Sequence, residues 1–148
     1  MPHEPSVAAS DSVEANKTAA RRFLEQFETR SYDYDALYHS DYIHHNEAFY
    51  PGMEPGLAAF RAALKEHGGG FSDLRLRISH LVGEKDLVVA RMEVSAIHSG
   101  TFHGIPATGR RIDFTATDIY RFVDGKIAEG WAVIDWLAIE QQTRADPA

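Results

Sequence analysis

The sequence predicts an α+β fold, with N-terminal helices packed on a curled antiparallel sheet to form a cone-shaped α+β barrel. Three observations carry this expectation. The hydrophobic period changes from 3.6 to 2 near Asp73, so helices come first and strands afterwards. The second half holds long alternating runs separated by tight-turn residues. Its 148 residues, 44% hydrophobic and 25% charged, are close to the usual size and composition of one globular domain. Strands of about ten residues or more twist and curl strongly. A sheet curled over helices encloses a cavity.

Residues 1–10 (MPHEPSVAAS) read as a mobile leader, residues 11–142 as the domain and 143–148 as a frayed tail. Asp11 and Glu14 have capping-box spacing at the start of a first helix. Ala20, Phe23, Leu24 and Phe27 form its apolar stripe, and it runs to about Thr29. A short helix is expected from Tyr34 to His39 and an extended piece from Tyr42 to His45. A further helix starts near Pro55, presents Leu57, Phe60 and Leu64, and ends at Gly68-Gly69-Gly70. Leu74, Leu76, Ile78, His80 and Val82 then alternate with polar residues as a half-buried strand. After a turn at 83–86, a second long strand spans Leu87 to His98, and a Gly- and Pro-rich loop leads to a third from Arg110 to Phe122. The Asp124-Gly125 turn starts a hairpin into a strand from Ile127 to about Trp136, and Leu137 to Gln142 form a terminal helix.

Composition excludes several function classes. Fifteen Lys and Arg against 22 Asp and Glu leave a net charge of −7, which argues against nucleic acid or an anionic membrane as partner. There is no cysteine, so disulfides, thiol nucleophiles and thiolate metal sites are excluded. No apolar run reaches ~20 residues and no signal-peptide pattern is present, which leaves a cytoplasmic location as the expectation. The histidine spacings match no metal motif, so no metal is expected, and no P-loop, GxGxxG or GxSxG pattern is present.

The third strand singles out one residue. Ile112, Phe114, Ala116, Asp118, Tyr120 and Phe122 share a face, on which Asp118 is the only charged member. A carboxyl there is either neutralised by a raised pKa, as suits a general acid or base, or bound into a core hydrogen-bond network. Parity places Val88, Ala90, Met92, Val94, Ala96 and His98 on the core face of the second strand, and His80 on that of the first. His103 lies in the following loop, so three histidines are candidates for a role beside Asp118. In the polar knot His44-His45-Asn46, His44 and Asn46 share one side and His45 takes the other. Trp131 and Asp135 share a strand face, and Asp135 is placed to cap the last helix.

The segment HSGTFHGIPATGRRIDFTATDIYRFVDGKIAEGW, together with YIHHN, resembles the SnoaL-like polyketide cyclase family of the NTF2-like superfamily of cone-shaped barrels. The likeness in layout covers roughly Val13 to Gln142. It implies a cofactor-independent (ester) cyclase whose strand aspartate is the acid/base of an intramolecular aldol closure. By position that aspartate is Asp118, assisted by a histidine for which His103 is the nearest candidate and His98 the rival. Asn46 matches the group that orients substrate, with His45, Tyr42, Phe49, Met92, Phe114 and Trp131 expected around the pocket. The resemblance also implies a homodimer and a small hydrophobic or aromatic carbonyl substrate. Two other readings stay open: epoxide hydrolysis through an Asp–Arg–Asp-like relay, which strand parity of Arg91 and Glu93 opposes, and a non-catalytic small-ligand-binding domain.

Overall fold

The computed structural model describes residues 8–45 and 51–144. Helix α1 (Ala8–Thr29) starts before Asp11, so the expected capping box falls inside the helix. Its stripe is as the spacing predicts, with Ala20, Phe23 and Leu24 buried. Asp33 caps α2 (Tyr34–Leu37) by accepting from the Ala36 N–H at 3.1 Å. The chain passes directly into β1 (Tyr38–His45), longer than its alternation suggests because the register slips between Tyr38 and Ile43. Helix α3 (Leu57–Gly68) ends in the glycine run as expected.

Four long strands follow: β2 (Phe71–Glu84), β3 (Leu87–His98), β4 (Arg111–Val123) and β5 (Lys126–Ile134), then α4 (Trp136–Arg144). Asp135 caps α4 through its Oδ1, which accepts from the Ala138 N–H at 3.0 Å. At the β4–β5 hairpin, Asp124 and Gly125 have φ of 51° and 76°, the left-handed pair that an Asp-Gly turn supplies.

The sheet order is β1-β5-β4-β3-β2. It is antiparallel from β2 to β5, but β1 joins β5 in parallel, so the sheet is mixed rather than wholly antiparallel. No β1–β2 pairing closes it, and α1 crosses β2 and β3 while α3 lies against β1 and β2. Phe23, Leu24, Phe60, Val88, Met92 and Tyr120 belong to the buried cluster between the helices and the sheet.

One expected face changes. A bulge between Ile78 and His80 shifts the β2 register, so His80 and Val82 turn outward and Leu81 turns in. His80 is therefore on the solvent face, and Val82 is 60% exposed.

Candidate active site

Asp118 sits in the middle of β4, opposite Ala90 on β3 and Ala132 on β5. Its register partners on both neighbouring strands therefore carry only methyl groups. Residues two apart on a strand share a face, and Tyr120 uses this relation to donate its hydroxyl proton to Asp118 Oδ2 at 2.7 Å. Asp118 Oδ1 is buried with no hydrogen-bond partner. Asp118 as a whole is half-buried and lines the cavity. Burial raises the carboxyl from its ordinary 3.8 to about 6, with the Tyr120 bond pulling the other way. A carboxyl that changes charge near pH 6 can both take and return a proton under physiological conditions.

The space above Asp118 is an apolar cavity of about 160 Å³, walled by Phe23, Phe60, Met92, Phe114 and Ala116. Its other polar edge comes from β1. His44 faces in, 2.7 Å from the Tyr42 hydroxyl through Nδ1, with its ring stacked on Phe60 at 4.4 Å. Burial, helped by the neighbouring His45, lowers His44 from 6.5 to about 4, so its imidazole is neutral at pH 7. The Tyr42 hydroxyl reaches this position because residue 130 has no side chain. A Cβ on Gly130 would lie 2.5 Å from that oxygen.

Asp118, Tyr42, Met92 and Phe114 thus meet around one cavity. The other described candidates do not line it. His98 is fully buried at the end of β3, where Nδ1 lies 3.0 Å from Thr108 Oγ1 and accepts from the Thr108 N–H at 3.3 Å. His98 therefore anchors the loop before β4. His103 adopts φ of 45° in a two-residue turn with Gly104, and its ring packs on Trp136 and Phe102 at 4.6 and 4.4 Å. His45 and Trp131 correct the expected pocket wall. Both lie on the opposite face of the sheet, stacked at 5.1 Å, with His45 Nε2 2.8 Å from Glu129 Oε1. The reason is the strand period, since Trp131 is opposite Ile119 while its neighbour Ala132 is opposite Asp118. Asn46 and Phe49 fall outside the described residues. Arg91 is opposite Thr117 and Glu93 binds Arg77 on the outer face, so neither joins Asp118.

Two site residues were not singled out from the sequence. Tyr120 carried a signal, its shared face with Asp118, and His44 carried one in the inward parity of the His44-His45 pair. Among the described residues, no three His, Asp or Glu side chains converge as a metal site, and no helix is long and apolar enough to cross a membrane.

The sequence profile of the SnoaL-like polyketide cyclase family matches residues 11–143. Among solved structures, the chain is similar to TsrD from Streptomyces laurentii, with 32% identity, a TM-score of 0.76, and coverage of 88% of this chain and 95% of that one. It is also similar to AclR from Streptomyces galilaeus, provisionally described as a hydroxylase, at 26% identity and TM-score 0.77, covering 92% and 85%. A SnoaL-like polyketide cyclase from Agrobacterium tumefaciens aligns at 25% identity and TM-score 0.70, covering 86% and 96%. No curated protein matches the sequence.

Proposed function

Because the chain belongs to the SnoaL-like polyketide cyclase family, we propose that it is a cofactor-independent enzyme in which Asp118 moves a proton alpha to a carbonyl group. The observation that carries this reading is the carboxyl itself: Oδ2 is held by Tyr120, while Oδ1 is buried and unpartnered beside an apolar cavity. A buried acceptor without a donor costs ~1–3 kcal/mol. A substrate C–H that surrenders its proton to Oδ1 relieves that cost during the reaction.

In the aldol closure, ionised Asp118 accepts the α-proton and the C–H electron pair becomes the enolate. His44, kept neutral by burial, is a hydrogen-bonding group for the enolate oxygen at the β1 edge of the cavity. The enolate carbon attacks a second carbonyl of the same molecule, a C–C bond forms, and Asp118 returns its proton to the resulting alkoxide. The aromatic and aliphatic wall excludes water, which favours a hydrophobic or aromatic carbonyl substrate.

The first half-reaction tests the reading without the natural substrate. Wild-type protein in deuterated water exchanges the α-protons of an aromatic ketone, followed by proton NMR, and Asp118→Asn slows this by ~10²–10⁴-fold. Equal rates in the two proteins overturn the assignment.

A further inference from the structure

The cavity has an electrostatic feature that proton transfer at Asp118 does not use. Arg30 is the only Lys or Arg lining it among the described residues, in a chain of net charge −7. It lies one residue past the end of α1 with φ of 55°, a left-handed backbone that non-glycine residues rarely adopt. One guanidinium nitrogen, Nη2, donates to the Phe71 carbonyl, and no carboxylate pairs with the group among the described residues. A guanidinium carries five N–H donors, so the others remain for a ligand at the exposed end of the cavity.

Helix α1 runs along the cavity between the two groups. The Phe23 ring packs at 5.6 Å on Tyr120, the residue bonded to Asp118, and Phe27 packs at 5.1 Å on Phe23. Thr29, the last residue of α1, lies six positions after Phe23, roughly 9 Å along the helix axis at ~1.5 Å per residue, and Arg30 follows it. The space between is apolar and compact. An apolar void of ~150 Å³ holds a single benzene ring, and this cavity is about 160 Å³.

We propose that the site takes a compact aromatic acid, one ring with short substituents, whose anionic group is bound by Arg30 while its enolisable carbonyl lies at Asp118. Arg30 is then a specificity residue that selects a free carboxylate over its neutral ester and fixes which end of the molecule reaches Asp118. The proposal rests on Asp118 being the base, but its recognition half is measured by binding alone.

The probes are 4-acetylbenzoate and its methyl ester, titrated calorimetrically against wild type, Arg30→Gln and Arg30→Lys at pH 7.5 and low salt. Wild type binds the acid ~10–100-fold more tightly than the ester, the range of a charge-assisted hydrogen bond. Added salt narrows that ratio. Arg30→Gln brings the two affinities together, and Arg30→Lys restores part of the preference, which separates loss of the cation from loss of the fold. Equal affinities in wild type, a preference surviving in Arg30→Gln, or no binding of either probe overturns the proposal. Asp118→Asn distinguishes the two readings: if the acid preference persists while wild type and variant exchange α-protons equally, only the assignment of the base fails.

Discussion

Replacing either Asp118 or His44 should expose a pH dependence that the intact protein conceals. The Asp118 carboxyl is raised from 3.8 to about 6 on folding. The folded state then binds more protons than the unfolded chain, so stability falls as pH rises from about 4 to 6, by about 3 kcal/mol at ~1.4 kcal/mol per pKa unit. His44 moves from 6.5 to about 4. Here the unfolded chain binds more protons, so stability rises over nearly the same interval by a similar ~3 kcal/mol. The two slopes oppose each other, so the contributions of these two groups to wild-type stability largely cancel between pH 4 and 6.5. Asp118→Asn leaves the His44 slope, and stability climbs by ~3 kcal/mol across the window. His44→Phe keeps a ring on Phe60, removes the titration, and leaves stability falling by a similar ~3 kcal/mol. Urea unfolding followed by tryptophan fluorescence reads this directly. With an m-value of ~2 kcal/mol per molar, each slope moves the midpoint by ~1.5 M. Glu129, lowered by its bonds to His45 and Arg121, loses its stabilising contribution as pH falls below its ordinary 4.5. That loss is shared by all three proteins and cancels in their differences. Parallel curves for wild type and Asp118→Asn would sink the argument for a raised carboxyl.

Two further outcomes follow from the same geometry. Tyr120→Phe removes the hydrogen bond that holds Asp118 down, so the rise in α-proton exchange with pH moves to higher pH, as a pH–rate profile would show. An unmoved profile would mean that Tyr120 does not tune the carboxyl. Gly130→Ala places a methyl carbon 2.5 Å from the Tyr42 oxygen, which overpacks the β1–β5 contact and costs ~1–3 kcal/mol in urea unfolding. A loss below ~0.5 kcal/mol would mean the ring can retreat freely.

What was legible in the sequence was whatever obeys a strict period. Strand β4 has no bulge beside Asp118, so alternation alone placed the carboxyl on the core face together with its partner Tyr120. The Asp-Gly turn and the Asp135 cap were readable because each depends on one residue's local chemistry. Where a register slips, counting fails. The β2 bulge moved His80 outward, and the slip between Tyr38 and Ile43 concealed both the length of β1 and its parallel edge position. Among the histidines, proximity along the chain to the Pro-Ala-Thr-Gly loop favoured His98 and His103. The histidine on the cavity comes instead from a strand paired across more than eighty positions, Gly130 opposite His44. Arg30 had no local signature, since its place depends on where α1 ends and not on a motif.

The parallel β1–β5 pairing also makes the two halves of the site unequal in how they are connected along the chain. Asp118 and Tyr120 belong to β4, flanked by the strands next to it in sequence, whereas His44 arrives on an edge strand whose partner lies far along the chain. Closing a long loop takes more chain entropy than closing a short hairpin. The carboxyl half therefore belongs to the locally connected meander, and the imidazole half to the seam whose closure costs more chain entropy. Detaching the β1 edge would therefore take His44 from the cavity while Asp118 and Tyr120 stay on the meander.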